Sequence, residues 1–176
     1  MLGMRWINLV IFLLFSTALL IFTLRRPHSH RGYRYLAFEC VLALIFLQAD
    51  SWFVKPFIPL QILSWTLLGS SLFLALHGFR LLSTIGAPDQ DLENTTQLVT
   101  DGAYHFIRHP LYASLLLFGI GAVLKDISLL SLTLLIGLLI AVYATGRVEE
   151  HSNLNRFGEA YRIYMQQTKM FIPFLF

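Results

Sequence analysis

Charge is what this sequence has least of. Only 13% of its 176 residues are Asp, Glu, Lys or Arg, where soluble domains carry about 25%. A polar coat that thin excludes an ordinary water-facing globule. Cysteine is almost absent too: Cys40 is the single one, so no internal disulfide forms, and the residue says nothing about redox compartment. No G-x-G-x-x-G follows a strand, and G-x-x-x-x-G-K-[ST], H-E-x-x-H and G-x-S-x-G are all missing, which removes the Rossmann, P-loop, zincin and nucleophile-elbow chemistries. A nucleotide-type cofactor would need a site that owes nothing to a Rossmann fold. No internal repeat or low-complexity tract is present.

What is present is apolar. Hydrophobic residues make up 56% of the chain and mean hydropathy is +0.66, with several stretches near the ~18–20 residues that span a bilayer. The expected fold class is all-α: one integral-membrane domain over 1–176, a polytopic transmembrane helical bundle of about five spans plus a C-terminal amphipathic helix. Residues 6–24 form an uncharged first span. It is too long for a signal-peptide core and is followed by Arg25 and Arg26 rather than an A-x-A-type site, so it reads as a retained helix. Spans follow at 35–54, with Glu39 and Asp50, and at 58–82, with His77 and Arg80. Glu39 and His77 are costly in lipid and should face the bundle or a polar cavity, or pair with a neighbouring helix. The polar loop 83–101 precedes a fourth span at 103–124 and a fifth at 128–146. In the tail RVEEHSNLNRFGEAYRIYMQQTK, Leu154, Phe157, Tyr161 and Tyr164 fall near one helix face, as in an interfacial helix. The closing MFIPFLF is apolar enough to dip back into lipid.

The net charge of +3 does not point to nucleic acid, because the cations cluster beside spans. With five spans, Arg25, Arg26, Arg31, Arg34, Arg80, Arg108, Arg147, Arg156, Arg162 and Lys169 share one side, and Arg5, Lys55 and Lys125 the other, ten against three. That bias assigns the ten to the cytoplasm. The polar loop, the stretch LVTDGAYHFIRHPLYAS at 98–114 and the Glu149–Glu150 tail are then expected at one cytoplasmic membrane face.

The stretch at 98–114 is the place to look for chemistry. Pro110 suits the first turn of a helix, which sets Arg108 and His109 at an N-terminus where free N–H groups favour an anion. Arg108 adds a guanidinium suited to a carboxylate or phosphate; alone, it reads equally as an arginine snorkelling to lipid phosphate, and His109 as a structural hydrogen-bonder. His105 and His109 lie four apart with Pro110 against the geometry, so no metal site is expected. Tyr143, Arg147 and Glu150 share a face at i, i+4 and i+7. Glu149 and Glu150 read either as solvated charges or as carboxylates for an ammonium or a ribose hydroxyl. Gly119 and Gly121 in an apolar helix suggest close packing.

The motif at 98–114 resembles the G-x-Y-x-x-x-R-H-P-x-Y signature of integral-membrane methyltransferases related to isoprenylcysteine carboxyl methyltransferase, with Gly102, Tyr104, Arg108, His109, Pro110 and Tyr112 in register. A second block is similar as well: Glu149–Glu150, then Phe157–Gly158, Tyr161, Tyr164 and Phe171–Ile172–Pro173. Ser114 stands where a glycine is common, and Thr168–Lys169–Met170 replaces a Pro-Arg-like pair. The resemblance covers about 98–173 and implies N-terminal spans over 1–82 and a cofactor-binding catalytic half over 83–176. It implies S-adenosylmethionine as cofactor, a lipophilic or lipid-modified acceptor entering from the membrane, and no nucleic acid. Tyr104, Arg108, His109, Tyr112, Glu149, Glu150, Tyr161 and Tyr164 become candidate cofactor-binding residues, and Arg108, Arg147 and Glu150 candidate catalytic ones. The implied reaction is an in-line displacement at the sulfonium methyl, which rests on alignment and exclusion of water. A carboxylate acceptor needs no base, whereas a lipid amine would need His109 or a glutamate to take its proton. The alternatives are an NADPH-dependent membrane reductase of an isoprenoid or steroid-like double bond, which carries a similar RHP-x-Y block but usually an asparagine where this chain has Leu111, and a non-catalytic membrane partner protein.

Overall fold

The computed structural model describes residues 2–25, 31–54, 57–88 and 95–173. Among the described residues six α-helices form: α1 (Leu2–Leu24), α2 (Arg31–Leu47), α3 (Pro59–Thr84), α4 (Pro110–Val123), α5 (Leu129–Phe157) and α6 (Glu159–Gln167). Short 3₁₀ turns occupy Ala49–Ser51 and Gly102–His105. Among the described residues there is no strand, and the isolated bridges are Pro88 with Thr95 and Ile107 with Lys169. The all-α expectation therefore holds.

The helix boundaries differ from those read off hydropathy. Helices α1, α3 and α5 are long and apolar enough to cross a membrane, while α2 has 17 residues and α4 has 14. At 1.5 Å per residue, α4 reaches about 21 Å against a hydrocarbon core of about 30 Å. The segment expected to be helical from 103 starts only at Pro110, because proline disfavours helix in the residue before it and donates no N–H. In contrast, α5 runs on past 146 to Phe157, so Glu149 and Glu150 lie within a helix rather than beyond its end. The expected amphipathic tail is split by Gly158, whose φ of 57° and ψ of −128° belong to a region open in practice to glycine. Met170 and Phe171, read as re-entering lipid, are instead buried against protein. The tip of the polar loop, 89–94, and residues 174–176 lie outside the described residues.

The residues pack as two compact units, Met1–Gly69 with Leu116–Thr145, and Ser70–Leu115 with Gly146–Phe176. The boundary read at residue 82 falls inside α3. In the first unit, Leu44, Ala122 and Val123 form a buried core, and the two helical glycines do what their spacing suggested. A Cβ on Gly121 would sit 3.0 Å from Leu68 Cγ and 3.1 Å from the Ser64 carbonyl of α3, and one on Gly119 would sit 2.6 Å from Leu138 Cδ2 of α5. That closeness lets the Ser64 hydroxyl donate to the Gly121 carbonyl at 2.6 Å. Ser128 caps α5: the Ser131 N–H donates to Ser128 Oγ at 3.2 Å and the Ser128 N–H to Ser131 Oγ at 2.9 Å, a reciprocal box that satisfies two orphan donors. Glu39 is half-buried. In the second unit, half-buried His77 stacks on Phe73 at 5.9 Å and closely approaches Gly102, which has a φ of 57°. Arg156 donates to the Thr95 carbonyl at 3.2 Å, tying the end of α5 to the polar loop.

Gly121→Val should destabilise the protein by about 1–3 kcal/mol through overpacking, measured as unfolding in detergent. Gly69→Ala, at a position where a Cβ meets nothing within 4 Å, should unfold no earlier than the parent.

Candidate functional site

The second unit gathers most of the chemistry-bearing residues around Arg108. Its Nε donates to Glu150 Oε1 at 2.6 Å, with side-chain exposures of only 11% and 4%. Nη1 donates to the Thr168 carbonyl at 2.5 Å and the Met165 carbonyl at 3.3 Å. The backbone reinforces this grip: the N–H of Arg108 donates to the Lys169 carbonyl at 2.8 Å, that of His109 to Met170 at 3.1 Å, and that of Lys169 back to Phe106 at 3.2 Å. The N–H groups expected to offer an anion site before α4 are thus taken by the C-terminal segment. Of the guanidinium expected to hold a ligand carboxylate, Nη2 is left without a hydrogen bond among the described residues.

His109 sits between two carboxylates. Adjacent helical residues point about 100° apart, and each glutamate approaches a different ring nitrogen, with Glu149 Oε2 3.6 Å from Nδ1 and Glu150 Oε1 3.7 Å from Nε2. Both distances are ion-pair contacts, too long for hydrogen bonds, and Nε2 is buried without a hydrogen-bond partner. The Tyr112 hydroxyl donates to Glu149 Oε1. Phe171 lies 6.0 Å from the imidazole, centroid to centroid. A Cβ on Gly146 would meet Met170 Cε at 2.6 Å and come within 3.6 Å of His109 Cδ2, so only a bare backbone lets α5 pass this close.

The tyrosines close one side. Gly158 redirects the chain so that α6 buries Tyr161 and Tyr164, whose rings lie 5.8 Å apart. The Tyr164 hydroxyl donates to the Tyr104 carbonyl at 2.6 Å, so Tyr104 enters through its backbone. Arg147 stands apart, 62% exposed and 3.7 Å from Glu150 Oε2. Beside the cluster, and sharing Tyr164 and Thr168 with it, lies a groove of about 480 Å³ edged by Leu98, Thr100, His105 and Gln167. Thr168 and Met165 were not legible as site residues, since they act through carbonyls that every residue possesses.

Burial by itself would lower the His109 pKa, but the facing carboxylates of Glu149 and Glu150 outweigh it and hold the value above the ordinary 6.5. Burial pushes the Tyr161 phenol up to about 12 and raises those of Tyr104 and Tyr164 as well, so all three stay neutral at physiological pH. The cluster thus sets a guanidinium, and an imidazole whose charged form the facing glutamates favour, against two carboxylates.

Comparison with known families matches residues 60–160 to the profile described as phospholipid methyltransferase. Neither a curated protein nor a solved structure gives a match.

Because the folded pKa of His109 is raised, its contribution to stability is full below 6.5 and is lost as pH rises through the elevated value. The melting temperature in detergent should therefore fall as pH is raised above 6.5. His109→Gln should melt earlier than the parent at low pH and show a flatter profile; an unchanged slope would contradict the assignment.

Proposed function

The chain belongs to the phospholipid methyltransferase family, and we propose that it moves a methyl group from S-adenosylmethionine to a lipophilic acceptor, a lipid amine or a carboxylate such as that of a prenylated cysteine analogue. The observation that carries this reading is the buried arrangement of Arg108, His109, Glu149 and Glu150, with one imidazole nitrogen lacking a hydrogen-bond partner. Methyltransferases of this family generally use that methyl donor, and the family match favours it over a nicotinamide dinucleotide.

The residues fit a zwitterion that also carries a sulfonium. When bound, S-adenosylmethionine supplies an electrophilic methyl group on a positively charged sulfur. Glu149, the more accessible of the two carboxylates at 16% side-chain exposure, accepts from the ammonium and offsets the positive sulfur. Nη2 of Arg108 donates to the carboxylate. Tyr112 fixes Glu149 through its hydroxyl, and the rings of Tyr161, Tyr164 and Phe171 exclude water, which strengthens every charge contact within.

The raised pKa of His109 bears on the proton. The facing carboxylates favour the charged imidazole, so with an amine acceptor the proton passes to a carboxylate oxygen of Glu149, while His109 holds both carboxylates in place. With a carboxylate acceptor no proton moves, and exposed Arg147 beside Glu150 orients it. Counted over five spans, the ten-to-three cation bias supports a cofactor site facing the cytoplasm.

S-Adenosylhomocysteine should bind the detergent-purified protein saturably in calorimetry, and Glu149→Gln, measured below its own melting temperature, should weaken binding by about tenfold or more, the scale of a charged hydrogen bond. Absence of heat at millimolar ligand would overturn the reading. Thermal protection by NADPH but not by S-adenosylhomocysteine would favour a reductase instead.

A further inference from the structure

The first unit holds a second polar cluster that the methyl-transfer reading does not use. Lys125, in the connection between α4 and α5, is 6% exposed. Its ammonium donates to Gln61 Oε1 at 3.1 Å and lies 3.6 Å from the centre of the Trp65 ring, a cation–π contact. Among the described residues no carboxylate pairs with it, and neighbouring Asp126 is exposed. Gln61 is fully engaged, because its Nε2 donates to the carbonyls of Leu124 and Lys125 at 3.0 and 3.4 Å.

Two further buried groups in this cluster are incomplete. Gln48, 7% exposed, donates from Nε2 to the Asp126 carbonyl at 3.0 Å, but its Oε1 is buried without a partner. Trp52, whose ring lies 6.2 Å from that of Trp65, has a buried indole N–H without a partner. A cation without a counter-ion, a donor without an acceptor and an acceptor without a donor therefore meet within one cluster. Unsatisfied buried groups of this kind are costly, and burial already holds the lysine pKa below its ordinary value.

One ligand chemistry completes all three. An anionic phosphodiester accepts from the ammonium and the indole, and a hydroxyl or ammonium on the same headgroup donates to Gln48 Oε1. The position agrees: the cluster is built where α2 and α4 end and α3 and α5 begin, with Trp52, Phe53 and Trp65 at hand. Aromatic side chains of this kind collect at the headgroup level of a bilayer. We infer that Lys125, Trp52 and Gln48 form a binding site for the phosphodiester headgroup of a phospholipid. This inference does not depend on the methyl-transfer reading.

The test uses the full chain in detergent with dioleoyl phosphatidylglycerol, with dioleoylglycerol, which has the same tails and no phosphate, or with inorganic phosphate. Phosphatidylglycerol should survive delipidating washes in native mass spectrometry and raise the melting temperature, and dioleoylglycerol should do neither. Lys125→Met should cut retention by about tenfold or more, Trp52→Phe, which keeps a ring but deletes the N–H, by about threefold or more, and Lys125→Arg should preserve it. Equal retention of dioleoylglycerol, or wild-type retention in a folded Lys125→Met, would overturn the inference. If Lys125→Met does not fold, unchanged retention in Trp52→Phe overturns it by itself. Protection by inorganic phosphate equal to that by the lipid would reassign the site to a free anion and reject the headgroup.

Discussion

A buried guanidinium has to be matched on most of its donors, and the second unit of this protein matches Nε and Nη1 of Arg108. Removing one partner from a buried ion pair costs about 3–5 kcal/mol, so the positions of Glu150, Met165 and Thr168 are not independent. Two of the three partners are carbonyls near the end of α6, so the end of α6 is held to the start of α4 as firmly as α5 is. The backbone pairing of 106–109 with 169–170 follows the same track. His109, flanked by residues fixed in this way, has no freedom to leave the two glutamates.

That constraint separates the roles of two adjacent carboxylates. Glu150 neutralises Arg108 from inside, nearly without exposure, and belongs to the frame. Glu149 is reached by Tyr112 and retains some access, so it is the carboxylate a small cation meets. The same two groups favour the charged form of the imidazole between them, against the effect of burial. Pairing within the chain and recognition of a ligand thus use one set of charges, which suits a sequence that carries few.

Much of this was readable beforehand, for identifiable reasons. Hydropathy exposes long apolar helices because length and composition are properties of the segment alone, and Pro110 marks a helix start because its ring fixes φ. The two motif blocks pointed to Arg108, His109, Tyr112, Glu149 and Glu150, and the fold brings all five together. Less legible were the helix ends. The apolar run ends near 146 but α5 continues through polar residues to 157, which a hydropathy window does not see. The reciprocal Ser128–Ser131 cap has a readable sequence pattern, but serine is common enough for it to pass unnoticed.

The sequence by itself determined that the chain is helical, apolar and membrane-sized, and which side chains are capable of chemistry, because helix periodicity, hydropathy and side-chain type are local. Only the tertiary structure decided what those side chains do. Arg108 turned out to be held by carbonyls of residues 57 and 60 positions away, and the N–H groups before α4 turned out to be occupied rather than free. Backbone carbonyls and N–H groups are the same at every position, so nothing in a sequence says which of them will meet; that is settled by packing between distant segments.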